Sequence, residues 1–523
     1  MSFLHNVRLA FYGTFQADVS TVNNDVRHFD NKNFKASYQE FQQPDHVENG
    51  WWNPTGSGAF RLLDCRVGAV FYGDGSSAVD AAADPAVGML VAGADDRTSG
   101  KLVDIDPQWQ LASALFGLDV RLADRGRPAL FGGRYRPSAF RDLWFSRWAT
   151  QLGDRAASAT FQSVLEGVAW GDGADGSRVL RELRAATSGD RLSIRMATFG
   201  YQDDVSQPGF TIGTVVGAVG PYLPGEPTSF VRGRRFAPAS GFTSWAGITW
   251  FTGSLDEASS TLFLDLSNAL QIQDAAGTPA DIGALSVGVL TNPGVSVQEN
   301  TPAIPGNFQR FGEIPYRNKN WLRDTGGVFA IRLTAAQVAL ARERPLALVV
   351  EAPFSPGAMG AGVDVIAIRE TEGGLAVGAE PLVLRVDGGG SVETTIFASR
   401  YGAPLANATV QIAQTGPSPD QGGGSPKNPD PPAAPIPVIG VPVDKISLPP
   451  SVETGAEGTA TLTIATRDPG NPRGYLDGQL YVIDYRLPGQ SNQARSGFDY
   501  VVAHVRDAFA VPADPTWKDV EAI

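Results

Sequence analysis

Short runs in which apolar and polar residues alternate, separated by Gly, Pro, Asn and Asp, make up most of the chain. A period of two puts successive side chains on opposite faces of an extended backbone, so such runs predict strands. Val7 to Phe15, Phe60 to Phe71, Leu115 to Leu122, Arg191 to Phe199, Phe210 to Val219, Gly247 to Phe251, Thr261 to Leu266 and Leu346 to Ala352 all fit this pattern. Helical spacing is rare. Ala139 to Thr150 places Phe140, Leu143, Trp144 and Trp148 near a 3.6 period, and Ser177 to Ala186 does the same with Val179, Leu180 and Leu183. Thr334 followed three residues later by Gln337 predicts a capping box opening a helix through Ala341.

From Leu384 onward the pattern becomes that of a small β-sandwich. Val392 to Ile396, Ala408 to Ala413 and Thr459 to Thr466 alternate, and Gln479 to Tyr485 and Asp499 to Val505 complete an Ig-like module. Within it, residues 416–437 (GPSPDQGGGSPKNPDPPAAPIP) have a composition that cannot pack, which predicts a mobile loop inserted between two strands. The expected fold class is therefore mainly β. A large antiparallel β-rich domain with a few covering helices spans 1–383, the Ig-like β-sandwich spans 384–510, and 511–523 form a tail.

Composition narrows the function classes. Lys and Arg number 42 and Asp and Glu 55 in 523 residues, a net charge of −13, and phosphate neutralisation needs clustered cations, so nucleic-acid binding is not expected. A hydrophobic fraction of 42% with ten Trp supports packed cores rather than disorder. Cys65 is the single cysteine, which excludes an internal disulfide and any Cys-based zinc cluster. Its place in an alternating run marks it as a core residue. The opening MSFLHNVRLAFYGTF interrupts its apolar stretch with His5 and Arg8 and has no small-x-small site, so no signal peptide is expected. No run reaches the ~18 apolar residues of a spanning helix. The expected location is the bacterial cytoplasm, without membrane contact.

Few segments carry chemistry. Gly171-Asp-Gly-Ala-Asp-Gly176 is formally G-x-G-x-x-G, but Asp172 and Asp175 would repel a phosphate and no βαβ alternation surrounds it, so a tight surface turn is expected. There is no Gly-x-Ser-x-Gly elbow and no Glu-x-x-His pair, and no metal site is assigned. Arg8, Asn23, Asp25 and His28 fall within a short stretch after a predicted strand and could line one wall of a pocket or form a buried network. Asp104 and Asp106, spaced i and i+2 before Pro107, point to the same side of an extended segment. Two like charges so placed raise one pKa, which suits general acid/base work, or they bind backbone amides and Arg partners in a turn.

The same segments carry a family resemblance. Arg8, Phe11, Gly13, Thr21, Asn23 and Asp25, then Asn53, Gly56 and Phe60, then Val103, Asp104, Asp106, Pro107 and Gly117, occur in the order of three motifs. In them residues 3–380 resemble the iminoindolepropanoate-dimerising enzymes of violacein biosynthesis and the related chromopyrrolic-acid synthases. Members of that family continue into a ferritin-like helical part, whereas this chain passes into the Ig-like module. The resemblance implies an oxidative coupling chemistry on amino-acid-derived imines. No haem ligand maps onto this chain, and the cofactor stays open.

Two functions follow. One is an accessory or binding β-protein of bacterial natural-product metabolism, whose partner is a small aromatic metabolite or a protein of the same pathway. The other is an enzyme that couples or rearranges an aromatic imine, with His28, Asp104 and Asp106 as the acid/base set. Its ligand pocket would be built from Arg8, Asn23, Asp25, Trp51, Trp52, Asn53 and Trp109. Carbohydrate adhesion through Trp51 and Trp52 is disfavoured, because adjacent strand residues face opposite ways.

Overall fold

A computed structural model describes residues 3–18, 56–93, 100–104, 113–124, 128–204, 206–239, 241–292, 298–352, 362–415, 440–470, 472, 478–489, 500–506, 514 and 516. The protein is mainly β. Its first sheet comprises β1 (Arg8–Asp18), β2 (Ala59–Phe71), β3 (Ser77–Ala78), β4 (Leu90–Gly93), β5 (Gly100–Asp104), β6 (Ser113–Phe116), β7 (Asp119–Ala123), β8 (Phe131–Tyr135), β9 (Ser138–Trp144), β10 (Ser158–Trp170), β11 (Leu192–Phe199) and β12 (Ile212–Pro221). All of its pairings are antiparallel. The order β1-β12-β11-β10-β8-β7-β4-β2 returns to β1, so the sheet closes into a barrel.

Two long strands branch. β2 pairs with β5 through Ala59 and Phe60 and with β4 through Arg66. β10 pairs with β9 over Ser158–Phe161 and with β8 over Leu165–Trp170. A second ring, β2-β5-β6-β9-β10, therefore shares the wall of the first and widens one end of the barrel. The interior is apolar, with Phe11, Val67, Leu122, Leu165 and Ile194 among its buried residues. Gly217 stands directly opposite Phe11 across β1 and β12, and a Cβ there would sit 1.9 Å from the Phe11 Cζ. The ring occupies the space that any other residue would fill.

A second sheet follows: β13 (Arg234–Ala237), β14 (Phe251–Asp256), β15 (Thr261–Asp265), β16 (Ala284–Leu290), β17 (Phe308–Ile314), β18 (Val328–Arg332), β19 (Leu346–Glu351) and β20 (Val365–Glu370). Its order is β17-β16-β19-β20-β13-β14-β15-β18, antiparallel throughout. The two edges curl toward each other, since a Cβ on Gly312 of β17 would lie 2.3 Å from Ile331 Cδ1 of β18. The four helices of the described residues are short: α1 (Gly153–Ala156), α2 (Arg178–Ala186), α3 (Trp321–Thr325) and α4 (Ala335–Glu343). Both predicted helix starts are present: the Ser177 side chain accepts from Leu180 N–H, and Thr334 and Gln337 form the reciprocal capping box.

The C-terminal strands are β21 (Leu375–Glu380), β22 (Val383–Asp387), β23 (Ser391–Arg400), β24 (Ala403–Pro404), β25 (Thr409–Gln414), β26 (Ile446–Ser447), β27 (Ser451–Glu453), β28 (Thr459–Thr466), β29 (Gln479–Arg486) and β30 (Val501–Arg506). They form two sheets, β21-β23-β28-β26 with β24 on β23, and β22-β30-β29-β25-β27. Ile396, Leu462, Ile464, Tyr481, Ile483 and Val501 from both sheets share one core. Residues 416–437 and most of 511–523 lie outside the described residues.

The expected helix over Ala139–Thr150 is corrected. Residues 138–144 are strand β9, followed by turns. Asp142 has φ +53°, and the β9–β10 register shifts between Ser158/Trp144 and Thr160/Arg141. This bulge breaks the alternation and puts residues three apart on one face, which imitates helical spacing. The predicted strand Leu115–Leu122 is likewise two strands, divided at Gly117, whose φ of +62° turns the chain.

Candidate functional site

Of the side chains proposed from sequence, Arg8 is fully described. It is 3% exposed, its Nη1 donates to the His5 carbonyl at 2.9 Å, and its Cζ lies 3.8 Å from the Phe71 ring centroid and 5.9 Å from that of Phe263. Phe263 belongs to the second sheet, so Arg8 packs the seam between barrel and sheet rather than lining a pocket. Burial, with the charge of Arg195 added, pushes its guanidinium down to about 9. The backbone of Asp104 ends β5 opposite Ser113. Asn23, Asp25, His28, Trp51, Trp52, Asn53, Asp106 and Trp109 lie outside the described residues.

Two further arginines share the seam. Arg195, on β11, meets Asp265 Oδ1 at 3.1 Å and donates to Val216 O at 3.0 Å and to Gly326 O. Arg147 donates to Asn268 Oδ1 at 2.9 Å and to Ser267 O, with its Cζ 4.3 Å from the Phe199 centroid. Each bonds across from the barrel side to the second sheet. These are structural ties, because both side chains are wholly buried and their bonds end on scaffold groups: Asp265 of β15, Val216 O of β12, and the segments around Ser267 and Gly326.

A cavity lined largely by aromatic side chains lies where the barrel branches. About 140 Å³ in volume, it is walled by Phe15 and Ala17 at the end of β1, Phe60 at the start of β2, Phe140 and Leu143 of β9, Ala159 and Phe161 of β10, and Phe199 and Tyr201 at the end of β11. The branching explains the space. Strands that would close a single ring here are spread over a wider one, and side chains reaching inward leave its centre unfilled. Phe15 stacks on Phe60 at 5.7 Å and on Tyr201 at 6.2 Å between centroids. Phe161 meets Phe60 at 5.9 Å and Phe140 edge-on at 6.3 Å, so the rings form one continuous wall. Phe145, 45% exposed, stands at the opening.

Two of the cavity's hydroxyls are spent on the scaffold, whereas Ser158 Oγ, also on the lining, is buried without a hydrogen-bond partner among the described residues. Tyr201 donates to Ala17 O at 2.7 Å and Thr198 to Ala159 O at 3.1 Å. Among the described lining residues Asp154, on α1, is the one charged group, and no His, Cys, Lys, Arg or Glu is present. Beside it, Arg155 is paired with Asp203 at 3.0 Å and Asp204 at 3.7 Å. Burial holds the Asp203 carboxyl above its ordinary value, whereas hydrogen bonds from Ser206 hold that of Asp204 below it. Among the described residues no three His, Cys, Asp or Glu converge as a metal site. Such an arrangement can take up an apolar ring; among the described residues it shows no nucleophile paired with a base.

Sequence reading placed none of these rings in a site. Phe15, Phe60 and Phe161 appear as ordinary inward positions of strands, and only the branched register brings their ends together; Phe199 belongs to the core of the second sheet. Cys65, expected in the core, is buried there, with burial pushing its thiol up to about 12.

No family model matches the chain, and no curated protein matches it. Among solved structures, trypsin-activated alpha-2-macroglobulin from Escherichia coli aligns at 11% identity and a TM-score of 0.18, over 96% of this chain and 30% of that one. An S-layer protein aligns at 11% identity and a TM-score of 0.17, over 87% and 53%. The native conformation of the E. coli alpha-2-macroglobulin aligns at 10% identity and a TM-score of 0.14, over 98% and 28%. The chain thus spans between 28% and 53% of the length of these proteins. Likenesses at these TM-scores carry no argument about fold or function. Among the described residues no helix is long and apolar enough to cross a membrane.

Proposed function

We propose that the protein binds a small aromatic metabolite in the cavity at the branched end of the barrel, as a binding or accessory protein of bacterial specialised metabolism. The observation that carries this reading is the aromatic wall around about 140 Å³ of space. That size is close to the ~150 Å³ at which an apolar cavity takes up benzene. The three ordered motifs that resemble the violacein-pathway dimerases support a ligand of indole type. We read the C-terminal sandwich as an Ig-like module, supported by its two sheets packed over one shared core.

The test is a thermal and calorimetric titration with indole. At about one hundred times its Kd, indole should add about 2.7 kcal/mol to the unfolding free energy. Ala159→Leu, which fills the cavity from β10, should abolish that gain while leaving the ligand-free melting temperature nearly unchanged. Equal stabilisation of both proteins would place the ligand elsewhere. The enzymatic alternative remains tied to the motif resemblance, and Asp104→Ala tests it: loss of turnover with an unchanged melting temperature is what an acid/base role requires.

A further inference from the structure

We infer that the outer face of the barrel carries a second ligand site, a slot across β7, β8 and β10 that takes a carboxylate on Arg121 and seats the apolar body of the same molecule against Ala169 and Trp170. The slot shares no lining residue with the aromatic cavity, so this inference stands or falls apart from the reading of that cavity.

Pairing register builds the slot. Arg121 of β7 stands opposite Gly132 of β8, which in turn stands opposite Ala169 of β10. Neighbouring strands lie about 4.8 Å apart, so the row runs about 10 Å from a guanidinium, over bare backbone, to a methyl group. The next row, Asp119, Arg134 and Glu166, also lines the groove. Its volume is about 660 Å³, room for a small organic molecule.

Gly132 is bare without a structural need. Its φ is not positive, and a Cβ there would meet Arg121 Cβ at 3.6 Å and Val120 O at 3.8 Å, both ordinary contacts. Its neighbours differ. A Cβ on Gly133 would meet Val168 Cγ2 at 3.0 Å, and one on Gly171 would meet the Ala129 carbonyl oxygen at 2.0 Å. A side chain at position 132 would cost the fold little and would fill the slot.

Arg121 supplies the charge. It is half-buried, and its Nε is buried without a hydrogen-bond partner. The ion pairs of the groove are made by other residues: Arg134 with Asp119 at 4.0 Å, and Glu166 with Arg136 at 3.7 Å and Arg191 at 3.9 Å. A guanidinium presents a planar fork of donors that matches a carboxylate through two parallel bonds. A phosphate dianion fits the same fork, but Asp119 and Glu166 in the adjacent row repel a double charge more strongly than a single one. At the far end Trp170, half-buried with its ring 5.8 Å from that of Phe131, offers apolar surface.

The test is a calorimetric titration of the full chain at pH 7 with 3-phenylpropionate, an anion, and 3-phenylpropionamide, its neutral counterpart of the same shape. The anion should bind about tenfold more tightly, the scale by which charge-assisted hydrogen bonds exceed neutral ones. Arg121→Gln should remove that preference and Gly132→Phe should abolish binding of the anion, both with melting temperatures and indole uptake nearly unchanged. Equal binding of anion and amide, a preference that survives Arg121→Gln, undiminished binding in Gly132→Phe, or no binding of the anion would each overturn the inference. Inorganic phosphate that displaces the anion at equal concentration would overturn the choice of a carboxylate.

Discussion

His5 shows how one side chain couples the fold to pH. Its Nδ1 accepts from Val7 N–H at 3.0 Å, which only the neutral imidazole can do. Burial, the largest influence, lowers its pKa from the ordinary 6.5, although Asp256 acts in the opposite sense. The unfolded chain therefore takes up the proton first. The contribution of His5 is complete above about pH 6.5 and is lost as pH falls from there through the lowered folded value. Melting temperature should decline below about pH 6.5, and His5→Asn should flatten that part of the profile. An unaltered slope in the variant would assign the acid sensitivity to other groups. At this scale the sequence was partly legible: Cys65 could be read as core from its place in an alternating run. Arg8 could not, because charge is visible in a sequence whereas the rings that sandwich it, Phe71 and Phe263, come from two different sheets.

Elements were legible where local chemistry decides them. The α4 capping box needs only Thr334 and Gln337, three residues apart, and both reciprocal bonds form. Thr334→Ala should cost about 1 kcal/mol, measured as a shift in the urea midpoint. An unchanged midpoint would mean that packing of Val338 and Ala341 holds the helix without its cap. β9 was illegible for an equally physical reason. A bulge at Asp142 turns a two-residue period into a three-residue one, so Phe140 and Leu143 both reach the cavity while Arg141 bonds outward to Ser229 O at 3.1 Å and to Ala379 O at 2.6 Å. Local pattern alone assigns such a segment to a helix.

Across the whole molecule, buried arginines tie the sheets together. Arg234 on β13 donates through Nη2 to Glu370 Oε2 at 2.6 Å and to Arg344 O at 2.7 Å. Leu346 N–H donates to the same carboxylate oxygen at 3.0 Å. The guanidinium lies 5.1 Å from the ring of Tyr401 in the sandwich part. Both members of the pair are wholly buried. Glu370→Ala should therefore cost about 3–5 kcal/mol by stranding a buried cation, and adding Arg234→Met should recover much of that loss. Denaturant unfolding of the two variants measures the difference; a double variant no more stable than the single one would show that the pair's hydrogen bonds, not its charge balance, hold this junction.

While β10 and the run over Gly247–Phe251 were not legible in it, the sequence by itself determined the mainly β class, strands such as β1, β2, β11, β12, β15, β19 and β28, the two capped helices and the core place of Cys65. All of these depend on side-chain period, caps and turn residues within a few positions. Tertiary structure alone decided where β2 and β10 branch, which rings meet around the cavity, and which carbonyls and carboxylates receive the buried arginines. Those outcomes are set by pairing register between strands far apart in the chain, as between Phe15 of β1 and Gly213 of β12, and a shift of one residue would turn an inward ring such as Phe15 to the outside.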